Sequence, residues 1–199
     1  MAVLISGRGS NLQAIIDAIH SGSLKAELSV VISNRADAAG LQRAKAAGVD
    51  PIFLNPREHA SRDDYDGALA RLLRRYEVSV VCLAGYMRLI GAPLLDAFPD
   101  HVLNIHPSLL PSFPGLDAQK QALEHGVCVS GATVHLVNAQ LDAGPIIAQA
   151  AVPVLHDDTV ETLSARILIE EHRLYPAAIQ RVLDGRWRID GRRFISASD

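Results

Sequence analysis

Short apolar runs alternate with longer amphipathic runs through the first half of the chain. The apolar runs lack a polar face, as strands buried on both sides do, and the runs between them repeat apolar positions every three or four residues, as helices do. The predicted strands are Ala2–Ser6, Leu28–Ser33, Ile52–Leu54 and Val78–Ala84. The helices that follow the first three strands are Asn11–His20, Ala38–Ala47 and Arg62–Glu77. This alternation predicts a parallel sheet with right-handed crossovers.

The pattern changes after a fifth strand, His101–Ile105. Two apolar runs, Gly131–Val137 and Pro145–Val154, are joined by a short turn instead of a helix, which predicts that the sheet becomes mixed. A long helix over about 159–184 follows, and we expect the tail after Gly185 to add one edge strand or to remain unattached. We therefore predict a single α/β domain over all 199 residues, doubly wound, with helices on both faces of a mainly parallel, mixed sheet.

Composition narrows the class of partner. A net charge of −3 without clusters of Lys and Arg argues against a nucleic-acid surface, and no apolar run reaches membrane length. Cys82 and Cys128 both lie in apolar, strand-like runs, so we expect buried reduced thiols in a reducing, cytoplasmic compartment. The histidines are scattered and the cysteines are not clustered, so no metal site is expected.

A glycine-rich loop, Gly7–Asn11, connects the first strand to the first helix. Glycines there let backbone N–H groups turn towards a ligand, Ser10 or Asn11 can cap the helix, and the helix dipole favours an anion. The loop lacks the third glycine of a dinucleotide fingerprint and the Lys of a Walker loop. A phosphate site and a simple tight turn both fit these residues.

Two polar residues, Asn104 and His106, lie where the fifth strand ends. Residues two apart in a strand point the same way, so both side chains are expected at the carboxyl edge of the sheet, where open α/β folds bind ligands. Asp142 lies in the turn after Gly131–Val137. If it lies close to His106, it is expected to raise the imidazole pKa and favour the imidazolium, although turn formation also explains an Asp there.

Glu171 falls near the middle of the apolar face of the long helix. A carboxylate in a buried stripe costs several kcal/mol unless it meets a donor. Glu171 is therefore either paired internally or directed into a binding site, and we favour the site.

These motifs together resemble the phosphoribosylglycinamide formyltransferase family over nearly the whole chain. The matching segments are Ser6–Gln13, Leu83–Arg88, Asn104–Pro111, Phe113–Gly115 and Leu141–Pro145. The resemblance implies a transfer of formyl from 10-formyltetrahydrofolate to the amine of N1-(5-phosphoribosyl)glycinamide, with no metal. The expected partners are these small molecules, and the expected assembly is a monomer or a homodimer.

The resemblance also assigns residues. It implies that Asn104, His106 and Asp142 are catalytic, with Asn104 also contacting the folate, and that Glu171 contacts the sugar-amine substrate. The remaining assignments are Gly9, Ser10 and Asn11 for the substrate phosphate, and Arg62, Met87, Arg88, Leu89 and Ile90 for the folate.

Two alternatives remain open. A formyltetrahydrofolate hydrolase would use the same three catalytic residues with water as the nucleophile, although such enzymes typically carry an additional amino-terminal domain. A non-catalytic nucleotide-binding module would share the glycine loop, but it would not explain the order of Asn104, His106 and Asp142. A methionyl-tRNA formyltransferase would need a basic RNA-binding domain, which this sequence does not show.

Overall fold

The computed structural model describes residues 1–196, which form two compact units, Met1–Leu103 and a second that starts at Asn104. The first unit alternates strands and helices. Its elements are β1 (Ala2–Ile5), α1 (Ser10–His20), β2 (Val30–Ser33), α2 (Ala39–Ala46), β3 (Asp50–Phe53), the 3₁₀ turn Pro56–Glu58, α3 (Arg62–Arg75), β4 (Val81–Leu83) and α4 (Ala92–Leu95).

Strands of the first unit run in the order β3-β2-β1-β4, and every pair in that order is parallel. The central strand β1 pairs Ala2 with both Val30 and Val81, and its four residues are completely buried. Burial on both faces explains why β1 is a continuous apolar run without alternation. The strand order places the carboxyl end of β1, where the glycine loop begins, beside that of β4.

The second unit is mixed. Strand β5 (Val102–His106) carries the boundary between the units, and the strand order continues from it as β6-β7-β9-β8. The remaining elements are α5 (Ala118–Glu124), β6 (Val129–Leu136), β7 (Ile146–Pro153), α6 (Val160–Leu183), β8 (Trp187–Asp190) and β9 (Arg193–Ser196). Strands β6 and β7 are antiparallel, as are β8 and β9, whereas β7 and β9 are parallel.

The α/β class with a parallel first half and a mixed second half is confirmed. Two local expectations are wrong. The tail forms the strand pair β8 and β9, closed by a turn at Gly191, and not a single edge strand. Cys128 is exposed because it lies in the bend before β6, whereas Cys82 is buried in β4. The short helices α4 and α5 were not expected, since four and seven residues carry too little periodic pattern.

Candidate active site

Four polar side chains meet in the second unit, and we call Asn104, His106, His135 and Asp142 the polar cluster. The Nδ1 atom of His106 lies 3.5 Å from Oδ2 of Asp142, and Nε2 of His135 lies 3.6 Å from Oδ1 of the same carboxylate. The Nδ2 atom of Asn104 lies 3.2 Å from Nε2 of His135. The expected proximity of His106 and Asp142 is confirmed, and one carboxylate is shared between two imidazoles.

Both ring nitrogens of His106 face oxygen acceptors. Nε2 lies 2.8 Å from the carbonyl oxygen of Phe113, and Nδ1 faces Asp142. Burial lowers the pKa of His106 below its ordinary value, and this outweighs the Phe113 carbonyl and the Asp142 carboxylate, which raise it. Asp142 thus raises the His106 pKa, as expected, but desolvation of the ring is the larger effect, so the expected preference for the imidazolium is wrong.

Asp142 is held as an anion in the turn between β6 and β7. Burial alone would raise its pKa, but contacts with His135, the Gly115 N–H and His106 together lower it. The Gly115 N–H donates to Oδ2 of Asp142 at 2.8 Å. Asp142 has a φ of 47°, a left-handed conformation that Asp tolerates better than most residues do. The turn therefore accommodates an Asp and fixes its carboxylate.

The buried hydroxyl of Thr133, on β6, forms hydrogen bonds that hold the segment after His106 in place. Oγ1 of Thr133 donates to the Ser108 carbonyl at 2.7 Å and accepts the Leu110 N–H at 3.0 Å, while the Gln149 amide donates to the same oxygen at 3.0 Å. The Ser108 hydroxyl in turn contacts the Phe113 carbonyl at 3.4 Å. These bonds set the position of the carbonyl that faces Nε2 of His106.

His135 is the member of the polar cluster that the sequence reasoning missed. It is 2% exposed, and its Nδ1–H donates to the Leu136 carbonyl at 2.9 Å, which turns Nε2 towards Asn104 and Asp142. Thr133 and His135 are two residues apart on β6, so two polar residues share one face of a buried strand. That pairing is the signal in the sequence that could have identified both of them.

The glycine loop lines a cavity of about 300 Å³ in the first unit. Its lining comprises Ser6, Gly7, Arg8, Gly9, Ser10, Asn11, Ala84, Gly85 and Met87. Helix α1 begins at Ser10 with Gly9 as its N-cap, no side chain caps it, and no acidic residue lies in its first turn. The expected capping by Ser10 or Asn11 is wrong because both residues lie within the helix. An anion in this cavity would meet the positive end of the helix dipole.

Gly9 is required by the geometry of this loop. Its φ is 72°, and a Cβ atom there would lie 2.8 Å from the Cα atom of Gly40 at the start of α2. The Gly40 N–H donates to the Gly7 carbonyl at 3.0 Å, and the Arg43 guanidinium donates to the Arg8 carbonyl at 2.9 Å. Helix α2 therefore fixes the loop from behind.

The other expected site residues have distinct environments. Glu171 is buried on α6, at 7% exposure, as its place in the apolar stripe predicts. Met87 and Leu89 are exposed, Arg88 and Ile90 are half-buried, and Arg62 is exposed at the first turn of α3. The structure groups Asn104, His106 and Asp142 in one unit and the glycine loop with Met87 in the other.

Within residues 1–196, no three His, Cys, Asp or Glu side chains are grouped so that they could hold a metal ion. None of the helices in that range combines the length and apolar character needed to cross a membrane. An amide, two imidazoles and a buried carboxylate are groups that can stabilise the oxyanion formed at a reacting carbonyl and accept a proton from its nucleophile. The polar cluster therefore has the composition of a site that acts on a carbonyl group, and it lies on an α/β fold.

The particular family follows from comparison with known proteins. The model of the family described as formyl transferase matches residues 1–179. The chain belongs to the formyl transferase family.

Its relatives include both single-activity and multifunctional proteins. The chain is 44% identical to the phosphoribosylglycinamide formyltransferase of Escherichia coli K12, over 95% of this chain and 89% of that protein. It is 48% identical to the human trifunctional purine biosynthetic protein adenosine-3, over 93% of this chain but 18% of that protein. The chain thus spans less than a fifth of the length of these trifunctional relatives.

Solved structures show the same doubly wound fold. The chain superposes on glycinamide ribonucleotide transformylase 1 from Symbiobacterium toebii with a TM-score of 0.96 and 60% identity, over 97% of this chain and 91% of that one. The phosphoribosylglycinamide formyltransferase of Anaplasma phagocytophilum gives a TM-score of 0.90 at 41% identity, over 98% and 93%.

Proposed function

We propose that this chain transfers the formyl group of 10-formyltetrahydrofolate to the glycine amine of N1-(5-phosphoribosyl)glycinamide, a step of de novo purine biosynthesis. The observation that carries the proposal is the polar cluster, in which Asn104 and His106 lie with a buried carboxylate in a chain of the formyl transferase family. These groups suit an acyl transfer that passes through a tetrahedral oxyanion.

Different expected residues would bind the phosphate and the sugar-amine part of the ribonucleotide. The backbone N–H groups of Gly9, Ser10 and Asn11 would bind the phosphate, since the cavity there has a helix N-terminus without an acidic side chain in its first turn. Glu171 would bind the sugar-amine part as a hydrogen-bond acceptor.

The folate is assigned to a separate group of residues. The exposed side chains of Met87 and Leu89 would pack against the ring system, with Arg88, Ile90, Arg62 and Asn104 as further contacts.

The reaction requires hydrogen-bond donors that stabilise the oxyanion and a group that accepts a proton from the amine. The amine nitrogen attacks the formyl carbon, the bond from that carbon to N10 of the folate breaks, and one proton moves from the amine to N10. The amide nitrogen of Asn104 lies 3.2 Å from Nε2 of His135, a contact that orients the amide, and an amide N–H of Asn104 would donate to the formyl oxygen. The Nε2–H of His106 faces the Phe113 carbonyl in this structure. With the substrates bound, it would donate to the formyl oxygen instead.

His106 begins the reaction as a neutral ring, because burial lowers its pKa. The amine proton would be held at its Nδ1, beside the Asp142 carboxylate, while the formyl oxygen carries negative charge. That proton would then pass to N10 as the bond from the formyl carbon to N10 breaks, which returns His106 to its neutral form. Proton relay and oxyanion stabilisation thus come from side chains of this chain, and the proposed reaction uses neither a metal nor a covalent enzyme intermediate. We further propose a single cytoplasmic domain, monomeric or homodimeric, that does not bind nucleic acid.

The test is the rate of 10-formyltetrahydrofolate consumption with and without the glycinamide ribonucleotide. We expect consumption that depends on the amine and falls about 10²- to 10³-fold in Asn104→Ala and His106→Ala. His156→Ala is the matched control, because its side chain is 96% exposed, and it should keep full activity. Consumption that ignores the amine and releases formate would assign a hydrolase instead, and near-normal rates in both variants would refute the assigned roles.

A further inference from the structure

Two residues of helix α3 hold the segment Tyr86–Gly91 in place. We call it the folate segment, because it contains Met87–Ile90, which are expected to bind the folate. The contacts come from two neighbouring residues, Tyr65 and Asp66, which are completely or almost completely buried. Neither residue belongs to the polar cluster or to the lining of the cavity at the glycine loop. Their role is not explained by the chemistry proposed above.

Asp66 holds the far end of the segment. Its Oδ2 accepts the Gly91 N–H at 2.6 Å, and Asp66 is only 1% exposed. A Cβ atom on Gly91 would lie 3.0 Å from that oxygen and 3.1 Å from Oδ1 of Asp63, so any side chain at this position would crowd both carboxylates. A buried carboxylate that binds a backbone N–H fixes the course of that backbone.

Tyr65 holds the near end and the middle. The hydroxyl of Tyr86 donates to the Tyr65 hydroxyl at 3.1 Å, and Tyr65 in turn donates to the Leu54 carbonyl at 3.4 Å. The guanidinium carbon of Arg88 lies 4.6 Å from the centroid of the Tyr65 ring, a cation–π contact. Residues 86, 88 and 91 are therefore all tied to α3.

The residues between these ties are the ones that project outward. Met87 is 66% exposed and Leu89 is 58% exposed, whereas Tyr86 is 9% exposed. Large apolar side chains are costly to leave in water unless a ligand covers them, and here a buried network holds their backbone in place. The Met87 N–H is also held, by Oγ of Ser6 at 2.7 Å. Met87 and Leu89 therefore project into solvent from a backbone that is fixed on both sides of them.

We propose that Tyr65 and Asp66 are positioning residues for the folate co-substrate, holding the folate segment so that Met87 and Leu89 are ordered before the co-substrate binds. This inference rests on the proposed function, because the co-substrate is the one named there. Pre-ordering lowers the free-energy cost of binding, so its loss weakens affinity for the folate more than it slows the chemical step.

The experiment is steady-state kinetics of Tyr65→Phe, Asp66→Asn and Asp66→Ala in the full chain. We expect the KM for 10-formyltetrahydrofolate to rise about 3- to 10-fold in Tyr65→Phe and Asp66→Asn and further in Asp66→Ala, with kcat within about 2-fold of wild type. Asn at 66 keeps an oxygen for the Gly91 N–H, so it should rescue part of the loss. Tyr76→Phe is the matched control, because Tyr76 lies at the carboxyl end of α3 and its hydroxyl contacts Asp50, not the folate segment.

Thermal unfolding of each variant separates positioning from general damage. Folded variants whose KM for the folate equals that of wild type would overturn the inference, as would a fall in kcat without a change in KM. The proposed function is judged separately, from amine-dependent turnover by the wild-type chain, so one can fail while the other stands.

Discussion

Replacing Asp142 with Asn tests whether the carboxylate acts through its charge. The side chain is 9% exposed, and its oxygens lie 3.5 Å from His106 and 3.6 Å from His135. An amide oxygen can still accept the Gly115 N–H, so the turn should persist. What disappears is the negative charge that faces Nδ1 of His106.

The magnitude follows from the value of a hydrogen bond to a charged group, about 1.5–3 kcal/mol, which corresponds to about a 10- to 150-fold loss of rate. Because the imidazolium forms only as the reaction proceeds, we expect the loss in kcat and little change in either KM. The assay is steady-state turnover with both substrates varied. Asp157→Asn is the control, since its carboxylate is 75% exposed. A variant of Asp142 that kept more than half of the wild-type kcat would refute the reasoning.

Three further predictions concern stability and the glycine loop. Because burial lowers the pKa of His106, the unfolded chain binds a proton before the native chain does as the pH falls below 6.5. The free energy of unfolding should therefore decline there by up to about 1.4 kcal/mol per pH unit, and His106→Gln should flatten that slope in urea titrations. Gly9→Ala, which forces a Cβ against Gly40, should raise the KM for the ribonucleotide and lower stability by at least about 1 kcal/mol, measured by kinetics and urea unfolding. Thr133→Val removes the buried acceptor of the Leu110 N–H and should cost about 1–3 kcal/mol by the same titration, and an unchanged midpoint would contradict it.

The local patterns of the sequence predicted much of the fold for physical reasons. Fully buried strands such as β1 leave a continuous apolar run, and long amphipathic helices such as α6 leave a stripe, so both are readable without tertiary information. Helix α4 has four residues and depends on its contacts with α3, which no local pattern records. The exposure of Cys128 likewise depends on where the chain bends before β6.

The polar cluster shows the same limit at the site. Asn104 and His106 could be paired from the alternation of a strand, and Asp142 was placed beside them as a hypothesis that the structure confirms. His135 was missed because the polar positions Thr133 and His135 on a buried strand were not singled out, and its contact with Asp142 depends on the pairing of β6 with β7. The imidazolium form of His106 was expected because proximity to a carboxylate can be inferred from a motif, whereas the degree of burial, which lowers the pKa, cannot.

The central claim is that the formyl group moves from the folate to an amine. The most direct measurement supplies 10-formyltetrahydrofolate with a ¹³C-labelled formyl group, together with the glycinamide ribonucleotide, and follows the label by NMR during one turnover. The account predicts that the label appears in the formamide of the ribonucleotide product, and that this signal is lost in His106→Ala. Label that accumulated as formate while the ribonucleotide remained unchanged would contradict it.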